Sequence, residues 1–306
     1  MNKRFKHLAT CLLACTATMT ATAQQVWTPD NGDGTFTNPI LWGDWADPDV
    51  IRVGDDFYMV STSMHYVPGC PIITSKDLVN WKMAGYAVDR YDEDPRFDLK
   101  GGSLYLNGSW AASISHHNGK FYVACCTPNG WGIEKGQHVL YITELNADVR
   151  STKGKPVKIW EKGFKDSQTW GKDFGMEGSH MYKINGYYYI TCPAGGTRGW
   201  QVCLRSRNIY GPYEHKSIVE DDASYPGNGL HQGGMVQLKN GDWWFIIMQD
   251  RGPMGRVPHL LPVKWVDGWP MMGTDGHNAI VYDKPKTGKQ QPLCAPATDD
   301  EFSKKQ

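Results

Sequence analysis

Four times along the chain an apolar run of four residues meets a short polar turn and returns as an aromatic run. The returning runs are Phe57-Tyr58-Met59-Val60, Phe121-Tyr122-Val123, Tyr187-Tyr188-Tyr189-Ile190 and Trp243-Trp244-Phe245. The preceding runs are Val50-Ile51-Arg52-Val53, Ile114-Ser115-His116-His117, Met181-Tyr182-Lys183-Ile184 and Met235-Val236-Gln237-Leu238. The turns between them hold Gly54-Asp55, Asn118-Gly119, Asn185-Gly186 and Asn240-Gly241, with glycines 55–67 residues apart. Asn-Gly tolerates positive φ at both central positions of a type I′ turn, so each unit predicts a β-hairpin. Weaker strands are expected after each hairpin, at Pro71–Thr74, Val139–Thr143, Gln201–Leu204 and Pro262–Trp265. No long segment sustains a helical period.

Repeated four-stranded units predict an all-β protein, a five-bladed β-propeller. Four units are explicit. The fifth is expected to join Ala279–Tyr282 to the strand at Phe36–Leu41, closing the ring without an exposed edge. An open sandwich is the competing fold. The expected boundaries are a signal peptide at 1–23, a catalytic propeller at 24–290, and a tail at 291–306 that resembles the entry to a further β-sandwich.

Composition narrows the partners. The 306 residues carry 32 basic and 32 acidic side chains, and a neutral chain argues against nucleic acid. Thirteen tryptophans within 12% aromatics supply faces for stacking, and Gly 34 and Pro 18 supply turns. A basic Met1–His7, an apolar stretch to about Ala21 and Ala21-Thr22-Ala23 read as a cleaved export signal, with Gln24 as the mature start. A lipoprotein signal ending at Cys15 is the alternative. The expected location is periplasmic or extracellular, with no membrane span. Export permits disulfides. Buried thiols are the preferred reading for the six remaining cysteines, and a Cys192–Cys203 bridge is the alternative.

The repeat also acts as a ruler. Asp47, Ser113, Glu177 and His231 lie six to ten residues before their turn glycines. If the first strand of every blade lines the central channel, these four meet at its mouth. Asp47 precedes Pro48, which biases it towards an extended backbone. Glu177 sits between Gly175-Met176 and Gly178. Each acid alone reads equally well as a turn or loop residue. Two carboxylates across a pocket are the minimum apparatus for hydrolysing a glycosidic bond, one ionised and one protonated. Trp42, Trp45, Trp110, Trp131, Trp170 and Trp200 are candidates for sugar stacking, with core packing as the plain reading of each.

Several stretches together resemble glycoside hydrolase family 43. They are Asn38-Pro39-Ile40-Leu41, Ala46-Asp47-Pro48-Asp49, Pro71 to Trp81, Trp110-Ala111, His117 to Tyr122, Glu177-Gly178-Ser179-His180 and His231-Gln232-Gly233-Gly234. They span roughly residues 36–285. The resemblance implies a five-bladed propeller that removes xylose or arabinose from plant oligo- or polysaccharides with inversion, Asp47 as general base and Glu177 as general acid. It implies no required cofactor. It does imply a central cation, often calcium, held directly or through water by His231; a channel histidine without metal is the other reading. Trp45, His65, Arg251 and Arg256 are implied substrate contacts, with salt bridges as the alternative for the arginines. One departure stands out. Trp110-Ala111-Ala112-Ser113 places Ser113 where many members have an aspartate that tunes the acid, and Asp173 is a candidate replacement. That departure leaves a non-catalytic carbohydrate-binding propeller as the alternative function, and a protein-interaction platform as a third.

Overall fold

The computed structural model describes residues 27–92, 94–117, 119–126, 139–145, 154–161, 176–274, 276–289 and 291–297. The signal segment, Cys15, Trp131, Trp170 and Asp173 lie outside them. The fold is the expected all-β propeller.

A short strand, β1 (Thr35–Thr37), precedes the first unit, β2 (Asp49–Val53), β3 (Asp56–Val60), β4 (Gly69–Ser75) and β5 (Lys82–Val88), which pair in order as an antiparallel sheet. The second unit starts with the hairpin β6 (Trp110–His117) and β7 (Lys120–Cys126), followed by the pair β8 (Leu140–Ile142) and β9 (Val157–Trp160). The third is β10 (His180–Ile184), β11 (Tyr187–Ala194), β12 (Trp200–Ser206) and β13 (Glu214–Val219). The fourth is β14 (Leu230–Gln237), β15 (Trp243–Asp250), β16 (Arg256–Val266) and β17 (Trp269–Met272). Finally β18 (Val281–Asp283) returns to pair with β1, setting Phe36 opposite Tyr282. The termini of the propeller therefore join as the pattern predicts, through a two-stranded ribbon.

The turns differ in detail. Asn185 and Gly186 both have positive φ, 49° and 79°, as a two-residue hairpin demands. Asn240-Gly241 does not make the same turn. There a five-residue loop, 238–242, is closed by the Leu238 amide donating to the Asp242 carbonyl (2.8 Å), so the strands part earlier than the Asn-Gly pair implies.

Hydrophobic layers hold neighbouring units together. Val60 and Cys70 of the first unit pack with Ala112 and Ile114 of the second. Ile190, Trp200 and Leu204 of the third meet Leu140, Ile142 and Trp160. Tyr189, Cys203 and Ile218 pack with Phe245, Ile247 and Leu261 of the fourth. Val236, Ile246 and Leu260 return to Phe57, Met59, Ile73 and Trp81 of the first, with Phe36 among them. Burying side chains of this size stabilises by roughly 1.5–3 kcal/mol each. Cys192 and Cys203 lie in adjacent strands as buried thiols, not as a disulfide.

The first strands of all four units line one central cavity of about 500 Å³. Asp49 comes from β2, Ser113 from β6, His180 and Tyr182 from β10 and Met235 from β14. The first strands thus line the channel as expected, but of the four residues that the repeat sets in register only Ser113 is among its lining residues.

Candidate active site

Asp47 ends the segment leading into β2 and is buried, 4% exposed. It is not extended, as Pro48 alone would favour. Its φ is +49°, a left-handed conformation that costs a non-glycine residue about 1 kcal/mol or more. Three contacts hold it there. The Thr62 hydroxyl donates to Oδ2 at 2.6 Å, Arg256 Nη1 donates to Oδ1 at 3.1 Å, and its own amide donates to Met248 Sδ at 3.2 Å. The carboxylate is thereby oriented by the first and fourth units at once, with Arg256 as its counter-charge.

Thr62 was not legible as a site residue. Its hydroxyl oxygen also accepts the Ala111 amide at 2.6 Å, so it ties Asp47 to the second unit at Trp110-Ala111. Arg256 is fixed in turn. Its backbone amide donates to Asp44 Oδ1 at 3.0 Å, and its carbonyl accepts from the Trp45 amide at 3.0 Å.

Glu177 is exposed and lies in the turn before β10. The turn is shaped by Met176 and Gly178, with φ of 88° and 59°. The Met176 amide donates to the Pro193 carbonyl at 2.9 Å, and the Ser179 hydroxyl donates to the Met176 carbonyl at 2.8 Å. A Cβ on Gly178 would stand 2.3 Å from Gln232 Nε2. Glycine at 178 therefore lets the Glu177 turn close on Gln232, beside His231. Gln232 is itself anchored, its amide donating to Gln201 Oε1 at 2.7 Å.

His231 is buried against Gly199, where a Cβ would lie 2.5 Å from its ring. Nδ1 is 3.0 Å from the Gly229 carbonyl, which requires a proton on Nδ1. Nε2 then faces Asp250 Oδ2 at 3.8 Å. This donor set does not fit a directly held calcium ion, which takes six to eight oxygens. Among the described residues no group of three or more His, Cys, Asp or Glu could hold a metal.

The remaining expected contacts divide. Trp45 lines a groove of about 590 Å³ with Trp27, Trp42 and Met254, alongside Asp44. His65 stacks between Tyr66 and Tyr105, ring centroids 4.3 and 4.2 Å away, and both tyrosines are well exposed. Arg256 joins Asp47, and its Nη2 lies 4.0 Å from Met64 Sδ, next to His65. Arg251 turns elsewhere. Its Nε donates to Gln249 Oε1 at 2.6 Å and its guanidinium lies over Tyr225 at 4.4 Å, so its bonds are structural.

Ser113 does not stand beside Asp47. Its hydroxyl donates to Asp49 Oδ2 at 2.9 Å, within the central channel.

The sequence profile of Glycosyl hydrolases family 43 matches residues 36–137 and 126–270. The chain is 32% identical to a protein named non-reducing end alpha-L-arabinofuranosidase from Bacteroides ovatus, over 87% of this chain and 59% of that protein. It is 30% identical to a beta-xylosidase of Formosa agariphila, over 90% of this chain and 57% of the other. A solved structure titled bifunctional GH43-CE, from Bacteroides eggerthii, superposes with a TM-score of 0.70 at 30% identity, over 85% of this chain and 38% of that one. The structural neighbours are five-bladed β-propellers. The chain thus spans less than three-fifths of the length of these curated relatives.

Proposed function

Because the chain belongs to glycosyl hydrolases family 43, we propose that it hydrolyses the glycosidic bond of a terminal xylose or arabinose by inverting acid–base catalysis. The observation that carries this reading is the fixed Asp47 carboxylate. It is buried, strained at φ +49°, and held by Thr62 and Arg256 from opposite sides. The two side-chain partners and the backbone contact fix the carboxylate in one orientation. A general base needs its lone pair aimed at one water.

Asp47 takes the proton from that water as it attacks the anomeric carbon. Arg256 and Thr62 keep the carboxylate in place through the proton transfer. Glu177 gives its proton to the departing oxygen. Inversion requires room for the water between the two acids, about 6.5–9.5 Å between the carboxyl groups. Glu177 is exposed and so open to a substrate from solvent. The tryptophan-lined groove beside Trp45 and the stacked His65, Tyr66 and Tyr105 offer apolar faces to sugar rings. The relatives' names bring both pentoses into view. We further propose export, with the mature protein starting at Gln24, which N-terminal sequencing of secreted material checks.

The test is hydrolysis of aryl β-xyloside and aryl α-L-arabinofuranoside by the mature protein, with Asp47→Asn and Glu177→Gln as controls. Turnover of either substrate that both substitutions abolish supports the reading. Turnover that survives both removes the assignment of the two acids. No turnover, with pentose oligosaccharides still bound in calorimetry, supports the non-catalytic binding propeller instead; the uncharged Ser113 is the observation favouring that alternative.

A further inference from the structure

The inner strands carry the two candidate acids at one end and the hairpin turns at the other. Asp47 and Glu177 precede β2 and β10, whereas Asn185-Gly186 and the 238–242 loop follow β10 and β14. On β14, His231 and Gln237 are six residues apart, roughly 20 Å at the rise of a strand. The turn end is therefore a separate surface from the one that holds Asp47.

A groove of about 480 Å³ lies at that end, between the third and fourth units. Lys183 and Asn185 line it from the third unit, and Gln237, Trp243 and Trp265 from the fourth. The two indoles meet edge to face, with centroids 6.0 Å apart and planes at 78°. Trp265 meets Tyr189 in the same way, at 5.3 Å and 71°. Tyr189 is itself fixed, its hydroxyl donating to the Gly268 carbonyl at 2.9 Å. Arg205 Nη1 donates to the Asp267 carbonyl at 2.9 Å, which pins the turn between β16 and β17. An aromatic wall held this way is presented to a ligand with little further loss of side-chain freedom.

The polar groups of the groove are open to a ligand. Neither the Trp243 nor the Trp265 indole N–H, nor the Asn185 side-chain amide, hydrogen-bonds another described residue. Lys183, Asn185 and Gln237 are exposed. Among the described lining residues there is no aspartate or glutamate, and Lys183 alone is charged. Its ammonium lies 5.1 Å from the centroid of the Tyr188 ring. Indole faces take the apolar C–H side of a sugar ring, and N–H and amide groups take its hydroxyls. With one lysine and no acid, the lining suits a neutral ligand better than a strongly charged one.

We infer that this groove is a second, non-catalytic site, which binds a neutral pentose polysaccharide and anchors the protein to the polymer whose ends it trims. The ligand class rests on the proposed function. A second site on the far surface raises retention on a polymer without any new contact at Asp47.

The test is nitrogen-15 NMR of the tryptophan indoles in the mature protein, titrated with xylohexaose and, separately, with linear arabinohexaose. The Asp47→Asn variant serves as host, so that the oligosaccharide is not consumed. Trp243→Phe and Trp265→Phe assign the two resonances. Both are expected to shift and saturate with at least one of the two oligosaccharides. Trp265→Ala, read at the Trp243 indole, is expected to weaken binding at least about tenfold. Trp265 also packs against the core between the third and fourth units, so a second variant is needed. Asn185→Gly suits the positive φ of 49° and removes only the amide; it is expected to weaken binding about threefold or more. Indoles that do not move with either oligosaccharide, equal shifts with cellohexaose, or unchanged affinity in both variants overturn the inference. Should the parent fail to hydrolyse either aryl glycoside while these indoles still shift, the proposed function falls and this site stands.

Discussion

Replacing Thr62 with valine removes one hydroxyl and keeps the side-chain shape. That hydroxyl donates to Asp47 Oδ2 and accepts the Ala111 amide, both at 2.6 Å. Loss of a hydrogen bond to an ionised partner costs about 1.5–3 kcal/mol, and an amide left without its acceptor adds about 1 kcal/mol. The expected destabilisation is therefore about 3 kcal/mol. For a domain of this size that corresponds to a fall in melting temperature of roughly 6 °C or more. The catalytic consequence is larger than the stability loss implies. Asp47 is strained, and with only Arg256 and Met248 left to hold it, the carboxylate rotates off the attacking water. A misplacement of about 1 Å costs on the order of a hundredfold in rate. Thr62→Ser keeps the hydroxyl and retains parental kcat within about threefold. Calorimetry and aryl-glycoside kinetics on the three proteins measure both effects. If Thr62→Val melts and turns over like the parent, or if Thr62→Ser loses as much activity as Thr62→Val, Asp47 is not positioned through this bond.

Two further outcomes follow from the packing. Gly178→Ala sets a Cβ 2.3 Å from Gln232 Nε2 at a backbone φ of 59°, so the Glu177 turn must lift; we expect kcat to fall at least tenfold for a stability loss of only about 1–2 kcal/mol, read by kinetics alongside urea unfolding. His259 is fully buried with neither ring nitrogen hydrogen-bonded, and burial, then the nearby Arg251, push its pKa down to about 3. The folded state thus holds it neutral, and the unfolded chain takes up its proton below about pH 6.5. Its contribution is complete above that pH and is lost as the pH falls towards 3, by about 1.4 kcal/mol per unit. Unfolding free energies of the parent should therefore drop more steeply between pH 7 and 5 than those of His259→Leu; equal slopes would contradict the assignment.

The sequence exposes the parts of this fold that are local. The hairpin at Asn185-Gly186 and the inner strands of each unit follow from turn chemistry and alternation, whereas the pairing of β1 with β18 follows from closing the ring. The outermost strands were not legible. β5, Lys82–Val88, is mostly exposed, so no apolar pattern marks it. The site was half legible for the same reason. Asp47, Glu177 and His231 stand out because the repeat sets them in register. Thr62 does not, because it acts together with a partner 49 residues away, across a boundary between units. Arg251 and Arg256 look alike in sequence. Only the turn at Gly252–Met254 decides that the second faces Asp47 and the first faces Tyr225.

The account rests on Asp47 and Glu177 acting as an inverting pair in one site. Proton NMR of the sugar first released from an aryl β-xyloside or aryl α-L-arabinofuranoside tests this most directly. Inversion predicts α-xylose or β-arabinose as the initial anomer, with no release by Asp47→Asn or Glu177→Gln. Release of the retained anomer, or release that persists in both variants, would contradict it.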